Sequence, residues 1–199
     1  MRAAIAAFAA LLSAACAAPE QAPVQGKASV PGAGAVITLR NPSFEADSRA
    51  DSPCATGWSC TMHADPKSFR FFSEETGKEG RRSFCMEPLT KEPWGLLTQG
   101  TREAPLRGAR LRFSIAVRAT AVSGRGAGPW VQVRVSGMPA LQTHSKLVQK
   151  AESWEVHAVE FEVPSNAITV EVGAMLHGRG RACFDDARLE VLRPAKNPL

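Results

Sequence analysis

An all-β fold of the sandwich or barrel type is predicted by three observations in the amino-acid sequence. Apolar and polar residues alternate with period 2, turn chemistry separates the alternating segments, and no window of about 11 residues or more carries a 3.6-residue period. Weaker strand segments come first along the chain, at 36–40, 69–72, 83–87 and 94–99. The clearest follows at 110–118, where Leu111, Phe113, Ile115 and Val117 are apolar and the positions between them are polar except for Ala116. Val131-Gln-Val-Arg-Val-Ser136 alternates without a fault, and Val159-Glu-Phe-Glu-Val163 and Ile168-Thr-Val-Glu-Val172 repeat the pattern. A last weak segment covers 188–192. Successive side chains of a strand point to opposite faces, so each run lays one face on a core and turns the other to solvent or ligand. Turns at Glu79-Gly80, 123–129, 163–166 and 178–180 separate the segments through Gly, Pro, Ser and Asn. The expected count is about nine strands and no substantial helix.

With 199 residues and 44% apolar composition, the chain can bury one sizeable core, which excludes disorder for most of its length. The 24 Lys and Arg exceed 19 Asp and Glu by a net charge of +5. The arginines are scattered among acids rather than clustered, so no nucleic-acid partner is expected.

The N-terminus reads as an export signal over residues 1–18. Met1-Arg2 gives a basic tip, residues 3–12 an apolar run, and Ser13-Ala-Ala-Cys-Ala-Ala18 a small-residue exit. That run is shorter than the ~20 apolar residues that cross a bilayer, and no other stretch approaches that length. Leu11-Leu-Ser-Ala-Ala-Cys16 resembles a bacterial lipobox, although Ser13 stands where Leu is usual. Cys16 therefore has two readings: a lipidated first residue of the mature protein, which is favoured, or a residue discarded by cleavage near Ala18. Either way the protein is exported, as an outer-membrane or periplasmic lipoprotein or as a secreted protein, and it meets a membrane only through the lipid anchor. Residues 19–34, rich in Ala, Pro, Gln and Gly, suit a flexible tether. The folded domain is expected over 35–193, with a short tail at 194–199.

Setting Cys16 aside leaves Cys54, Cys60, Cys85 and Cys183, an even number that favours disulfides in an oxidising compartment. Of the three pairings, Cys54–Cys60 with Cys85–Cys183 is preferred: a local clip, and a tie between an early strand and the last one. The spacing of Cys54 and Cys60 is not that of a zinc knuckle, and no His lies three to five residues from another.

Asn41-Pro-Ser-Phe-Glu45, just after a short strand, resembles the opening motif of galactose-binding-like jelly rolls, among them the carbohydrate-binding modules of bacterial xylanases and glucanases. Ala182-Cys-Phe-Asp-Asp-Ala-Arg-Leu-Glu190 resembles the closing strand of that fold, and Trp154 with Val159–Pro164 and the run from Ile168 resembles its paired strands. The resemblance covers roughly residues 35–193 and implies a jelly-roll β-sandwich. It also implies a structural calcium held by Glu45 with Asp185 or Asp186, since calcium accepts mixed oxygen donors. Against this stands the reading in which one Asp caps a turn or marks a bulge and the other pairs with an Arg.

No nucleophile elbow, zincin helix or phosphate loop occurs. Gly124-Arg-Gly-Ala-Gly128 precedes a Pro and a strand, so it reads as a hairpin loop. His63, His144, His157 and His177 lack a matched nucleophile. Glu160 and Glu162 lie on one face of one strand, as any half-exposed strand would place them, and no enzyme is expected. Sugar recognition needs an aromatic face for the C–H side of a ring, and amides, guanidiniums and carboxylates for its hydroxyls. Trp94, Gln99, Trp130, Gln132, Arg134 and His177 are the expected ligand-binding residues, with Arg112 and Arg118 turned outward on a neighbouring strand. Trp58 falls inside the Cys54–Cys60 clip, and Trp154 is expected in the core. The function expected is a non-catalytic binding module for a glycan or another cell-envelope component. The alternative is a structural domain that docks a protein partner on the same face.

Overall fold

Side chains that are apolar at every second position leave a strand with one face to bury, and this chain buries those faces by stacking two antiparallel sheets. The computed structural model describes residues 30–46, 52–101 and 106–195. The expected leader with Cys16, the tether as far as residue 29 and the tail from residue 196 lie outside them. Eleven strands form among the described residues: β1 (Val36–Ile37), β2 (Ser59–Met62), β3 (Phe69–Glu74), β4 (Ser83–Pro88), β5 (Trp94–Thr101), β6 (Arg110–Thr120), β7 (Gly126–Val135), β8 (Leu141–His144), β9 (Ala151–Glu162), β10 (Ala167–His177) and β11 (Arg181–Arg193). The first sheet runs β3-β4-β11-β6-β9, with β1 beside β11; the second runs β2-β5-β10-β7-β8.

The faces fall where alternation places them. Leu111, Phe113, Ile115 and Val117 of β6 are fully buried, and Val131, Val133 and Val135 of β7 meet them from the other sheet in one core with Phe84 and Phe184. The opening motif is a corner of that core. Asn41 and Phe44 both take positive φ, 48° and 54°. Asparagine tolerates that conformation, but phenylalanine has to be held in it. Phe44 is held by burial, with its ring 5.1 Å from Trp58 and 5.9 Å from Phe84. The Asn41 carbonyl accepts from Trp58 Nε1 (3.0 Å), and the Pro42 carbonyl accepts from the Ala187 amide (2.9 Å). The first turn of the domain is thus tied to its last strand. Both preferred disulfides are present, and Cys85 and Cys183 face each other directly across β4 and β11.

Three expectations need correction. The strands number eleven rather than nine, because β2 and β8 were not foreseen. Gly126-Ala-Gly-Pro129 is not loop but the start of β7. A Cβ at Gly128 would lie 3.2 Å from Leu147 Cδ2, so glycine there lets the chain after β8 pack across the strand. Trp154 is half-buried on the outer face of the first sheet instead of in the core, with the Arg118 guanidinium 5.0 Å from its ring.

Candidate functional site

The outer face of the second sheet can be read off its register. Val172, Ala174 and Leu176 of β10 point into the core, so Glu171, Gly173, Met175 and His177 point out. Opposite them stand Gln132, Trp130, Gly128 and Gly126 of β7 on one side, and Gly100, Thr98, Leu96 and Trp94 of β5 on the other. The pairing Gln132↔Gln142 and Trp130↔His144 extends the face to β8. Glycine at four of these positions removes side chains from the centre, and a groove of about 290 Å³ results, with Trp94, Trp130, Gln132, Arg134 and Glu171 in its lining. Gly173 has a second role: a Cβ there would overlap the Leu97 carbonyl oxygen, so β5 and β10 close only over glycine.

The polar end of the groove is a fixed relay. Gln142 Nε2 donates to Gln132 Oε1 (2.8 Å), Gln132 Nε2 donates to Glu171 Oε2 (3.1 Å), and Arg134 Nε donates to Glu171 Oε1 (3.2 Å). The carboxylate sets the orientation of both amides and of the guanidinium, which is exposed. Such preset donors and acceptors suit hydroxyl groups that arrive with the spacing of a sugar ring. At the other end Trp94 is half-buried, edge-on to His63 at 5.7 Å, and His63 Nδ1 lies 2.8 Å from Glu92 Oε2.

Of the residues expected to bind ligand, Trp94, Trp130, Gln132 and Arg134 line this groove. Trp130 and Gln132 are buried in its floor, while Trp94 and Arg134 are reachable. His177 stands beside Trp94 on β10, with Nδ1 buried and without a hydrogen-bond partner. Gln99 is elsewhere. It shares the parity of Leu97, points away from the groove and pairs in both directions with the Arg40 backbone (2.9 and 3.1 Å). Arg112 and Arg118 also lie elsewhere, because β6 belongs to the opposite sheet. Glu171, Gln142, Met175, Thr98 and Thr61 line the groove without having been foreseen. Glu171 was legible as the polar position of Ile168–Val172; Gln142 was not, since β8 gave no alternation.

The carboxylates expected to hold calcium have other partners. Glu45 Oε1 accepts from the amides of Arg81 (2.8 Å) and Arg82 (2.7 Å). Asp185 Oδ2 accepts from the amides of Lys78 (2.6 Å) and Glu79 (3.0 Å), and Asp186 Oδ2 takes the Lys78 ammonium at 2.8 Å. Three carboxylates thus pin the loop 77–82, with Asp186 at φ 48° in the bulge between Asp185 and Arg188. Calcium requires oxygens converging on one point. Here the oxygens converge on N–H groups, and the donor set as folded does not fit the ion.

Asp185 is fully buried, and burial pushes its carboxyl above the usual range against the lowering pull of its amide bonds to Glu79, Asp186 and Lys78. The folded state therefore holds the proton more firmly than the unfolded chain. This contribution is fully present below the unfolded value of 3.8 and is lost as pH rises through the higher folded value. The stability gap between wild type and Asp185→Ala, followed by urea unfolding, is expected to narrow as pH rises from about 4 to about 7. A gap that widens would show that the amide bonds outweigh burial.

No protein-family model matches the chain, and no curated protein matches it in sequence. Solved structures do share its fold. The CBM22-1 xylan-binding domain of Paenibacillus barcinonensis Xyn10C aligns with a TM-score of 0.61 at 12% identity, over 82% of this chain and 99% of that one. A cyclase from Fischerella sp. TAU aligns at 0.60 and 14% identity, over 83% and 100%. TmCBM61 in complex with β-1,4-galactotriose aligns at 0.51 and 14% identity, over 77% and 97%. The fold is that of a galactose-binding-like jelly roll, an architecture used by carbohydrate-binding modules and by an enzyme alike.

Proposed function

We propose that the protein is a non-catalytic, extracytoplasmic glycan-binding module whose ligand lies in the groove of the second sheet. The observation that carries this reading is the pairing of Trp94, a reachable aromatic face, with the preset Gln142–Gln132–Glu171–Arg134 relay on the same surface. The carbohydrate-binding modules among the structural relatives support it. Glycoside hydrolysis needs two carboxyl groups facing one cleft, whereas among the described residues Glu171 is the one carboxylate in this lining and is already bonded to Gln132 and Arg134. Two disulfides support an oxidising compartment.

Titration calorimetry against xylo-, gluco- and galacto-oligosaccharides tests the proposal. Trp94→Ala and Glu171→Gln are each expected to weaken binding at least about tenfold, or ~1.4 kcal/mol, with the melting temperature within a few degrees of wild type. Binding that is indifferent to both substitutions, or no binding to any glycan offered, would overturn it.

A further inference from the structure

A cluster of cations flanks the groove. Several arginines of the sheets lie against glutamates: Arg70 on Glu87 (2.8 Å), Arg110 on Glu160 (2.7 Å), Arg118 on Glu74 (2.6 Å), Arg193 on Glu162 (2.7 Å). At the flank where β7 begins and β8 ends, a separate depression of about 490 Å³ is lined by Arg125, His144, Lys146 and Lys150, with no acidic side chain among the described residues of its lining. Lys150 is drawn off by Glu152 at 2.9 Å. Arg125 and Lys146 have no carboxylate partner among the described residues.

This flank joins the groove at two points. His144 is the cross-strand partner of Trp130, and the Arg125 amide donates to the carbonyl of His177 (3.0 Å), the neighbour of Trp94. The imidazole orients the guanidinium. His144 Nδ1 lies 2.7 Å from the Ser145 carbonyl and must donate to it, which leaves Nε2 as an acceptor for Arg125 Nη2 at 3.0 Å. The two contacts fix the imidazole's orientation, and Arg125 is held beside the groove by a group that carries no carboxylate. From β5 through β10 to the start of β7 there are two strand spacings, and to β8 three, about 10 and 14 Å at ~4.8 Å each, so Trp94 and the cationic flank lie a few sugar rings apart.

Resting on the glycan reading of the groove, we propose that the ligand is an anionic polysaccharide: one ring stacks on Trp94 while Arg125 and Lys146 hold a carboxylate or sulfate ester further along the chain. A guanidinium with its fork preset is suited to bidentate capture of such a group, and the ammonium adds a second, mobile cation. Neutral glycans would leave both cations unmatched.

The test uses the full chain and three probes: oligogalacturonate, the same oligosaccharide after carboxyl reduction, and a sulfated galactan oligosaccharide. At roughly 50 mM salt, oligogalacturonate, the sulfated probe or both are expected to bind at least tenfold more tightly than the uncharged one, and the preference should shrink at roughly 500 mM. The better of the two charged probes identifies the group. Arg125→Ala with Lys146→Ala should remove the preference and leave binding of the uncharged probe intact, while Trp94→Ala should weaken all binding. If the uncharged probe binds as tightly as the charged ones and still depends on Trp94, the charge assignment is wrong and the glycan groove stands. Charged binding that survives Trp94→Ala would mean an anion captured outside the groove, which overturns the proposal. If no probe binds, the groove reading falls with it.

Discussion

Val133→Asp is expected to abolish the folded state, while Arg134→Ala, one residue further on, leaves it nearly untouched. Val133 is 3% exposed and sits between Val170 and Leu141, on the core face of the second sheet. A carboxylate placed there has no cation within the core, and burying an unpaired charge costs far more than the ~5–15 kcal/mol that holds a typical domain together; even the neutral acid forfeits ~1–3 kcal/mol for its unmet hydrogen bonds. Arg134 faces outward and holds one half-buried partner, Glu171, at 3.2 Å; with the guanidinium itself exposed, the pair is worth about 0–1 kcal/mol. Circular dichroism melts of the two variants settle it. A cooperative transition in Val133→Asp, or collapse of Arg134→Ala, would mean that the faces of β7 are reversed and with them the whole groove.

The second large effect separates the two disulfides. Cys85–Cys183 joins residues 98 apart, and Cys54–Cys60 residues 6 apart. Constraint of the unfolded chain grows with the logarithm of the loop, to about 4.7 kcal/mol for ~100 residues and about 2 kcal/mol for the short clip. Replacing both members of the long-range pair by Ala should therefore cost roughly twice as much in urea unfolding as replacing both members of the clip. The sites differ in surroundings as well, since Glu74 and the Arg118 and Arg181 that hold it lie beside the long-range bridge. A larger loss from the clip would show that packing of Cys54 and Trp58, rather than chain constraint, dominates.

What the residues disclosed in advance depends on burial. Strands with one wet face announce themselves, because the alternation of 110–118 and 131–136 is the record of two environments. β5 is harder: Gly95, Leu96 and Leu97 are all buried, since the groove floor dries the outer face as well, and the period disappears. Without that period, nothing in the sequence separates Gln99 from the residues of the groove. β8 has almost no buried side chain and so no pattern at all. Two strands also carried residues with a double identity. The glycines of β7 look like a loop, yet they are where neighbouring backbone must come close. Asp185 and Asp186 look like metal ligands, yet Asp185 accepts two amides of the loop 77–82 and Asp186 takes the Lys78 ammonium. Residue type reveals that an anion is needed; only the fold says whether a cation or a row of N–H groups answers it. The cationic flank was invisible for another reason, being assembled from Arg125 and Lys146 across the β7–β8 hairpin.

The pairing of β1 with β11 decides how such a domain can be mounted. The Gly34 amide donates to the Val191 carbonyl (2.8 Å), and the Val191 amide donates to Ala35 (2.9 Å), so the first and last stretches of the folded chain run side by side. They do so on the first sheet, and the groove opens on the second. A stalk joined at either end would therefore meet the first sheet, like the handle of a dish, and leave the groove facing away from it. The same adjacency makes the order of the strands along the chain interchangeable in principle, since a short graft across the old ends could close a ring and be cut elsewhere.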